Sequence, residues 1–197
     1  EPLTFLRGLP QVHWVCSGVD LMIKGEKVIL RALEREDLDR CWRWINDREV
    51  TRYLRLVYPI SKTQEEKWFE NQMREDEHNK IFAIQTHDGK HVGNCGLHNI
   101  NWKDRNSELG IMIGERDFQN KGFGTDAIRT LLKLAFSEMN LHRVHLRVYD
   151  FNERAQRCYE KCGFVKEGVL REDFFGDGRF YDTIIMGILR EKWENLK

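Results

Sequence analysis

The sequence has no surplus of either charge: 32 Lys and Arg stand against 32 Asp and Glu in 197 residues. A protein that grips nucleic acid along its phosphates normally carries a basic excess, so no nucleic-acid partner is expected. It also lacks any apolar run near the roughly 20 residues that span a bilayer, so no membrane partner is expected. There is no paired cysteine framework. Cys16, Cys41, Cys95, Cys158 and Cys162 are odd in number and irregular in spacing, the usage of a reduced, cytoplasmic protein. Cys158 and Cys162 stand four apart, but no further ligands lie nearby at a familiar spacing, so no metal is expected. Repeats, low-complexity tracts and linkers are absent after Met22.

What is present is ample apolar material, with 11 Phe and 6 Trp, in a length that suits one domain. Residues 1–21 show no sustained period and read as a non-native or disordered extension, with Met22 as the natural start. Residues 22–197 then form a single domain. Lys27–Arg31 is a short strand, and Glu34–Asp37 is an acidic helix start followed by Leu38, Cys41, Trp42 and Ile45 at helical spacing. Ser61 to Glu65 supplies caps for a second helix, continued by Trp68, Phe69, Gln72 and Met73. Ile81–Gln85 and residues 91–100 form a hairpin across Asp88-Gly89. Ser107–Ile113 is a strand, and Gly122 opens an amphipathic helix through Phe136. Residues 144–148 alternate as a strand. Asn152 starts a helix that ends at Gly163, and strands near 164–174 and 179–188 close the chain. This order predicts an α/β (α+β) protein with a mixed sheet covered by helices on both faces.

The segment Gln119-Asn120-Lys121-Gly122-Phe123-Gly124-Thr125 lies between a strand and a helix start. Its glycines let the backbone approach a ligand, and the helix adds unbonded N–H groups and the positive end of its dipole. That combination favours a phosphate or pyrophosphate. A Walker loop would need Gly-Lys-Ser/Thr, which Gly124-Thr125 does not provide. A dinucleotide fingerprint fits Gly122, Gly124 and Ala127 but sits too far from the preceding strand. An empty strand–helix turn remains open. A second segment, Asn152 to Phe164, places Asn152, Ala155 and Tyr159 on one helix face.

Together, Q-N-K-G-F-G-T and N-E-R-A-Q-R-C-Y-E-K-C-G-F resemble the GNAT superfamily of acetyl-CoA-dependent N-acetyltransferases. The opening I-x-G-x-x-V-x-L-R-x-L and the ending F-F-G-D-G-R-F-Y-D are similar to its RimJ/RimL-type and spermidine acetyltransferase branch. The resemblance implies the acyl-CoA N-acyltransferase fold, with a largely antiparallel seven-stranded sheet, and acetyl-CoA as co-substrate. It implies that the loop Gln119–Thr125 holds the pyrophosphate and that the strand around Ile111, Met112 and Ile113 pairs with the pantetheine arm. Asn152, with Ala155 beside it on the same helix, would bond that arm, and Tyr159 would protonate the departing thiolate. Glu108, at the start of the central strand, is the first choice for the base, with His98 and Glu34 as lesser options. A homodimer is plausible on the same ground.

A thiol of pKa near 8.5 is a fair leaving group and a phenol near 10 can supply its proton, so no cysteine nucleophile is needed. For the acceptor, aromatic walls are expected from Trp42, Trp44, Tyr53, Tyr58, Phe174, Phe175 and Tyr181. Glu36, Asp37, Asp47, Glu49, Glu172 and Asp173 could attract an amine. Their lack of a dense cluster favours a protein or peptide α-amine, as in ribosomal-protein acetylation, over a polyamine or aminoglycoside. A non-catalytic acyl-CoA sensor and a dinucleotide oxidoreductase are the other classes.

Overall fold

The computed structural model describes residues 22–72 and 76–196, so the expected extension 1–21, Cys16 and Met73 lie outside the described residues. In chain order the elements are β1 (Ile23–Lys24), β2 (Val28–Ala32), α1 (Leu38–Ile45), α2 (Arg48–Thr51) and α3 (Lys62–Gln72). Then come β3 (Lys80–Thr86), β4 (His91–Asn101), β5 (Asn106–Ile113), α4 (Phe123–Lys133), β6 (Arg143–Tyr149) and α5 (Glu153–Lys161). The hairpin β7 (Val165–Gly176) and β8 (Arg179–Leu189) precedes the short α6 (Arg190–Glu194). They build one eight-stranded sheet ordered β1-β2-β3-β4-β5-β6-β8-β7. The count corrects the expected seven: the two-residue β1 is too short to carry a period but pairs antiparallel with Leu30 and Ile29. Only β5 and β6 run parallel, joined by the crossover through α4.

Local chemistry explains most boundaries. Ser61 Oγ accepts the Gln64 N–H at 3.2 Å while Gln64 Oε1 accepts the Ser61 N–H at 2.9 Å, a reciprocal cap at the start of α3. Glu34 to Asp37 does not begin an α-helix directly. Arg35–Asp37 form a 3-10 turn, capped between Glu34 and Asp37, that leads into α1. Beyond Lys133, α4 widens into a π-helical turn, Leu134–Glu138, which keeps Ala135 and Phe136 in the core. Gly163, at φ +95°, ends the α5 segment in the left-handed conformation expected of a C-cap.

The sheet buries both faces. Ala127, Ile128, Leu131 and Leu132 of α4 pack with Val144, Leu146 and Val148 of β6 into the main core, together with Trp193 of α6. On the other face Leu33, Cys41, Trp44, Val50, Phe69 and Ala83 make a smaller core under α1–α3. Trp44, expected as an acceptor wall, is buried there instead. Its ring meets His91 edge-on at 4.7 Å and fills the space a side chain at Gly114 would need.

Asp37, expected as an amine-attracting charge, is also buried. Arg31 donates to both its oxygens at 2.7 and 2.9 Å, the Glu34 N–H donates at 2.9 Å, and His91 Nδ1 lies 3.0 Å away. Burial alone would raise its pKa, but the bonds from Arg31 and His91 prevail and hold the carboxyl well below the usual range. A carboxyl depressed in the fold stabilises above the unfolded value near 3.9 and loses that contribution as pH falls below it. Asp37→Asn should therefore cost about 3 kcal/mol at pH 7, and the penalty should shrink on acidification below about pH 4. Urea unfolding at pH 7 and at pH 3 checks both statements.

Candidate active site

The parallel ladder between β5 and β6 is short. Asn106, Ser107 and Glu108 pair with Arg143, Val144 and His145, and the ladder stops there. Each strand stays bonded to its outer neighbour: β5 to β4 as far as Ile113 with Gly93, and β6 to β8 as far as Tyr149 with Thr183. The two strands therefore part as a V, and Leu109–Ile113 keeps one backbone edge with no strand partner. A cavity of about 710 Å³ occupies the opening.

Ten of the twelve expected cofactor residues line this cavity: Ile111, Met112, Ile113, Gln119, Asn120, Gly122, Gly124, Thr125, Asn152 and Ala155. Lys121 and Phe123 do not. The Lys121 side chain is exposed, and the Phe123 ring packs against Phe118 at 5.0 Å. Both expected catalytic side chains, Glu108 and Tyr159, line the same cavity.

The loop is held from several sides. Gln119 donates from Nε2 to the Ile113 carbonyl and accepts from Arg154 Nη1, both at 2.9 Å, so one side chain ties the end of β5 to α5. Lys27 Nζ donates to the Lys121 carbonyl at 3.0 Å. Buried Asp126 accepts the N–H groups of Glu26, Lys27 and Val28 at 3.1, 2.7 and 3.0 Å, fastening α4 to the turn before β2. Asn120 and Gly122 curl the backbone at φ +59° and +86°. The first helical bond of α4 runs from Asp126 N–H to the Gly122 carbonyl. The amides of Phe123, Gly124 and Thr125 are thus left at the positive end of the dipole, a cradle that fits a pyrophosphate.

Asn152 caps α5, its Oδ1 accepting the Ala155 N–H at 3.2 Å. Its amide nitrogen has no partner among the described residues, so capping and ligand binding are compatible. Burial pushes the Tyr159 phenol well up from its ordinary value, and neighbouring Cys158 and Cys162 add to the rise. Glu108 is held at both oxygens: Arg147 Nε lies 3.3 Å from one and Asn99 Nδ2 donates to the other at 3.4 Å. His98 and His145 stand directly across from Glu108 on the neighbouring strands. Burial lowers the pKa of both imidazoles, which keeps them neutral at pH 7. Glu34 sits at the cap beside Asp37, outside the cavity lining.

The acceptor end differs from expectation. Of the predicted aromatics only Tyr53 reaches the cavity wall, joined by Tyr149, which the sequence reading missed. Tyr149 stacks on Phe174 at 4.2 Å and on Phe151 at 5.4 Å, and Phe151 continues to Tyr53 and Tyr181. Trp42 spends its indole N–H on the Ile60 carbonyl, while Tyr58 and Phe175 point to solvent. Three of the six predicted acids are engaged in structure: Asp37 is buried against Arg31, Asp47 caps α2 and pairs with Arg116, and Asp173 pairs with Arg55. Arg55, Arg147, Arg154, Arg157 and Lys161 line the cavity unforeseen. The alternation in β6 and the helical spacing of α5 could have singled out Arg147, Arg157 and Lys161. Arg55 lies in an irregular segment that carries no such signal. Among the described residues no group of three metal-binding side chains occurs and no helix is long and apolar enough to cross a membrane.

The profile of the Acetyltransferase (GNAT) domain matches residues 27–165. The spermidine N(1)-acetyltransferase of Vibrio cholerae is 34% identical over 171 residues, 87% of this chain and 98% of that one. A putative ribosomal N-acetyltransferase of Bacillus subtilis, YdaF, is 34% identical over 119 residues, 60% of this chain and 64% of the relative. The crystal structure of the V. cholerae spermidine N-acetyltransferase in complex with CoA and spermine superposes with a TM-score of 0.80 at 34% identity, covering 86% of this chain and 99% of that one.

Gln119→Ala removes the tie between β5 and α5 while leaving the loop glycines in place. Affinity for coenzyme A should fall about tenfold, the equivalent of one bond to a charged group, with little change in thermal stability. Calorimetric titration and a melting curve read the two effects separately.

Proposed function

Because this chain belongs to the GNAT acetyltransferase family and is an acetyl-CoA-dependent N-acetyltransferase, we propose that its acceptor is a small polyamine such as spermidine. The observation that carries this reading is the single cavity in the β5–β6 opening, lined by the phosphate cradle, Tyr159, Glu108 and the aromatic wall of Tyr53 and Tyr149. Near-full-length similarity to spermidine acetyltransferases supports the polyamine. The Arg55–Asp173 pair, which links the segment after α2 to β7, offsets a cavity-lining cation that would otherwise repel an amine. The lean toward a peptide α-amine drawn from the scattered acids loses part of its footing, since Asp37, Asp47 and Asp173 have structural partners. It retains the support of the ribosomal relative, over a shorter span. A non-catalytic sensor would have no use for a phenol kept protonated inside the cavity.

When bound, acetyl-CoA supplies an activated acetyl thioester. The amides of residues 123–125 and the dipole of α4 hold its pyrophosphate. The free edge of Leu109–Ile113 and the amide of Asn152 align the pantetheine arm. A backbone N–H on that edge stabilises charge developing on the thioester oxygen. Glu108, fixed by Arg147 and Asn99, draws the ammonium and accepts its proton so that the nitrogen lone pair can attack. Tyr159, protonated throughout neutral pH because burial raises its pKa, donates to the departing sulfur.

Thiol release measured with spermidine, spermine, aminoglycosides and peptide N-termini tests the acceptor. Turnover of peptides with none of the polyamines would overturn the proposal. Tyr159→Phe should lower kcat about a hundredfold, within the usual range for loss of a general acid, with the KM for acetyl-CoA nearly unchanged. Its sign with pH is fixed: a raised phenol holds its proton longer, so the native alkaline decline should begin above about pH 10 and vanish in the variant. Glu108→Gln should raise the KM of the amine and displace the acid limb of the kcat/KM profile. An unchanged limb would assign the proton to another acceptor.

A further inference from the structure

Arg154, Arg157 and Lys161 follow one another at helical spacing on α5, and all three line the cavity. In a chain with no net charge, this is a local concentration of positive charge facing the cofactor end. Arg154 is engaged by Gln119. The other two are free to act. Arg157 reaches only Glu153, one turn back, in a pair where both side chains are more than half exposed; such a pair is weak and readily exchanged. The Lys161 ammonium has no partner among the described residues.

The packing of α4 on α5 puts these cations in the same cavity as the phosphate cradle. Thr125 Oγ1 lies 3.2 Å from Cys158 Sγ, so the end of the cradle is level with the residue after Arg157. One turn along, Arg129 donates to the Lys161 carbonyl at 3.3 Å. Arg157 and Lys161 therefore flank the part of α5 that packs against the first two turns of α4. The cradle amides already serve the pyrophosphate, leaving Arg157 and Lys161 for a further anionic group.

We infer that Arg157 and Lys161 form the subsite for the 3′-phosphate of coenzyme A and set a preference for the cofactor that carries it. The inference rests on the cavity holding the cofactor as proposed above. A guanidinium and an ammonium one turn apart can meet a phosphate dianion from two sides, and the acceptor-end cations are unavailable because Arg55 and Arg147 are paired with Asp173 and Glu108.

The test is calorimetric titration with CoA and with dephospho-CoA, which lacks only the 3′-phosphate, at fixed ionic strength. The native protein should bind CoA about tenfold more tightly, the scale of charge-assisted bonds to one phosphate. The Arg157→Gln, Lys161→Gln double variant should bind both compounds equally, at the native level for dephospho-CoA. Both side chains are exposed, and a melting curve verifies that the variant is folded. Equal binding of the two compounds by the native protein would overturn the inference. So would a preference that survives in the variant, or an equal loss for both compounds, which would place the two cations on the pyrophosphate. No acceptor is needed, so a different amine would leave the test intact. Failure of both compounds to bind the native protein would instead overturn the cofactor placement.

Discussion

Where β5 and β6 part after Glu108 and His145, two neighbouring strands give up the bonds that a continuous ladder would supply. Each such bond contributes about 1 kcal/mol net, and more is lost if its groups are buried without partners. The opening persists because it is enforced from outside. β4 holds β5 in register to Ile113, and β8 holds β6 in register to Tyr149, so neither strand can swing to meet the other. The crossover helix is then clamped in place, with Asp126 gathering three amides from the turn before β2. Gln119 spans the mouth from the Ile113 carbonyl to Arg154. A cavity that reaches through the sheet thus follows from pairing that stops early.

The opening also sorts charge in a chain whose total is zero. At the cofactor end a helix dipole, unbonded amides and the cations of α5 line the cavity. At the acceptor end every cation on the wall is matched, Arg147 by Glu108 and Arg55 by Asp173. An anionic cofactor and a cationic amine can therefore enter one cavity without competing for the same groups. The neutral composition concealed this internal polarity.

The parts legible in the sequence were those encoded by neighbours along the chain. Gly122 beside a helix start, and Asn152, Ala155 and Tyr159 at helical spacing, depend on contacts within a few residues, and the structure places them on one wall. The strand count missed β1, because two residues cannot display a period. The acceptor wall was least legible because it is assembled from distant segments. Tyr149 becomes a wall residue only where β6 leaves β5, and Arg55 acquires its role from Asp173, 118 residues away. Asp37 and Trp44 erred in the same way. Residue type fitted an amine site, while pairing with Arg31 and packing under Gly114 assigned both to the interior.

The proposed base and the proposed acid sit in opposite surroundings, and the sheet gives a physical reason for two separate groups. Glu108 projects from the strand face shared with His98, His145 and Arg147, among polar partners. Tyr159 lies on the opposite face, packed against Phe164 and the main core, where burial keeps it neutral. An ammonium arriving from one side must lose a proton, and a thiolate leaving on the other must gain one. A single residue could not meet both without crossing the sheet. With the strands parted, only the reacting carbon, nitrogen and sulfur have to meet in the gap, while each proton is exchanged on its own face. The proposed acid and base are thus divided by the same interruption in hydrogen bonding that opens the cavity.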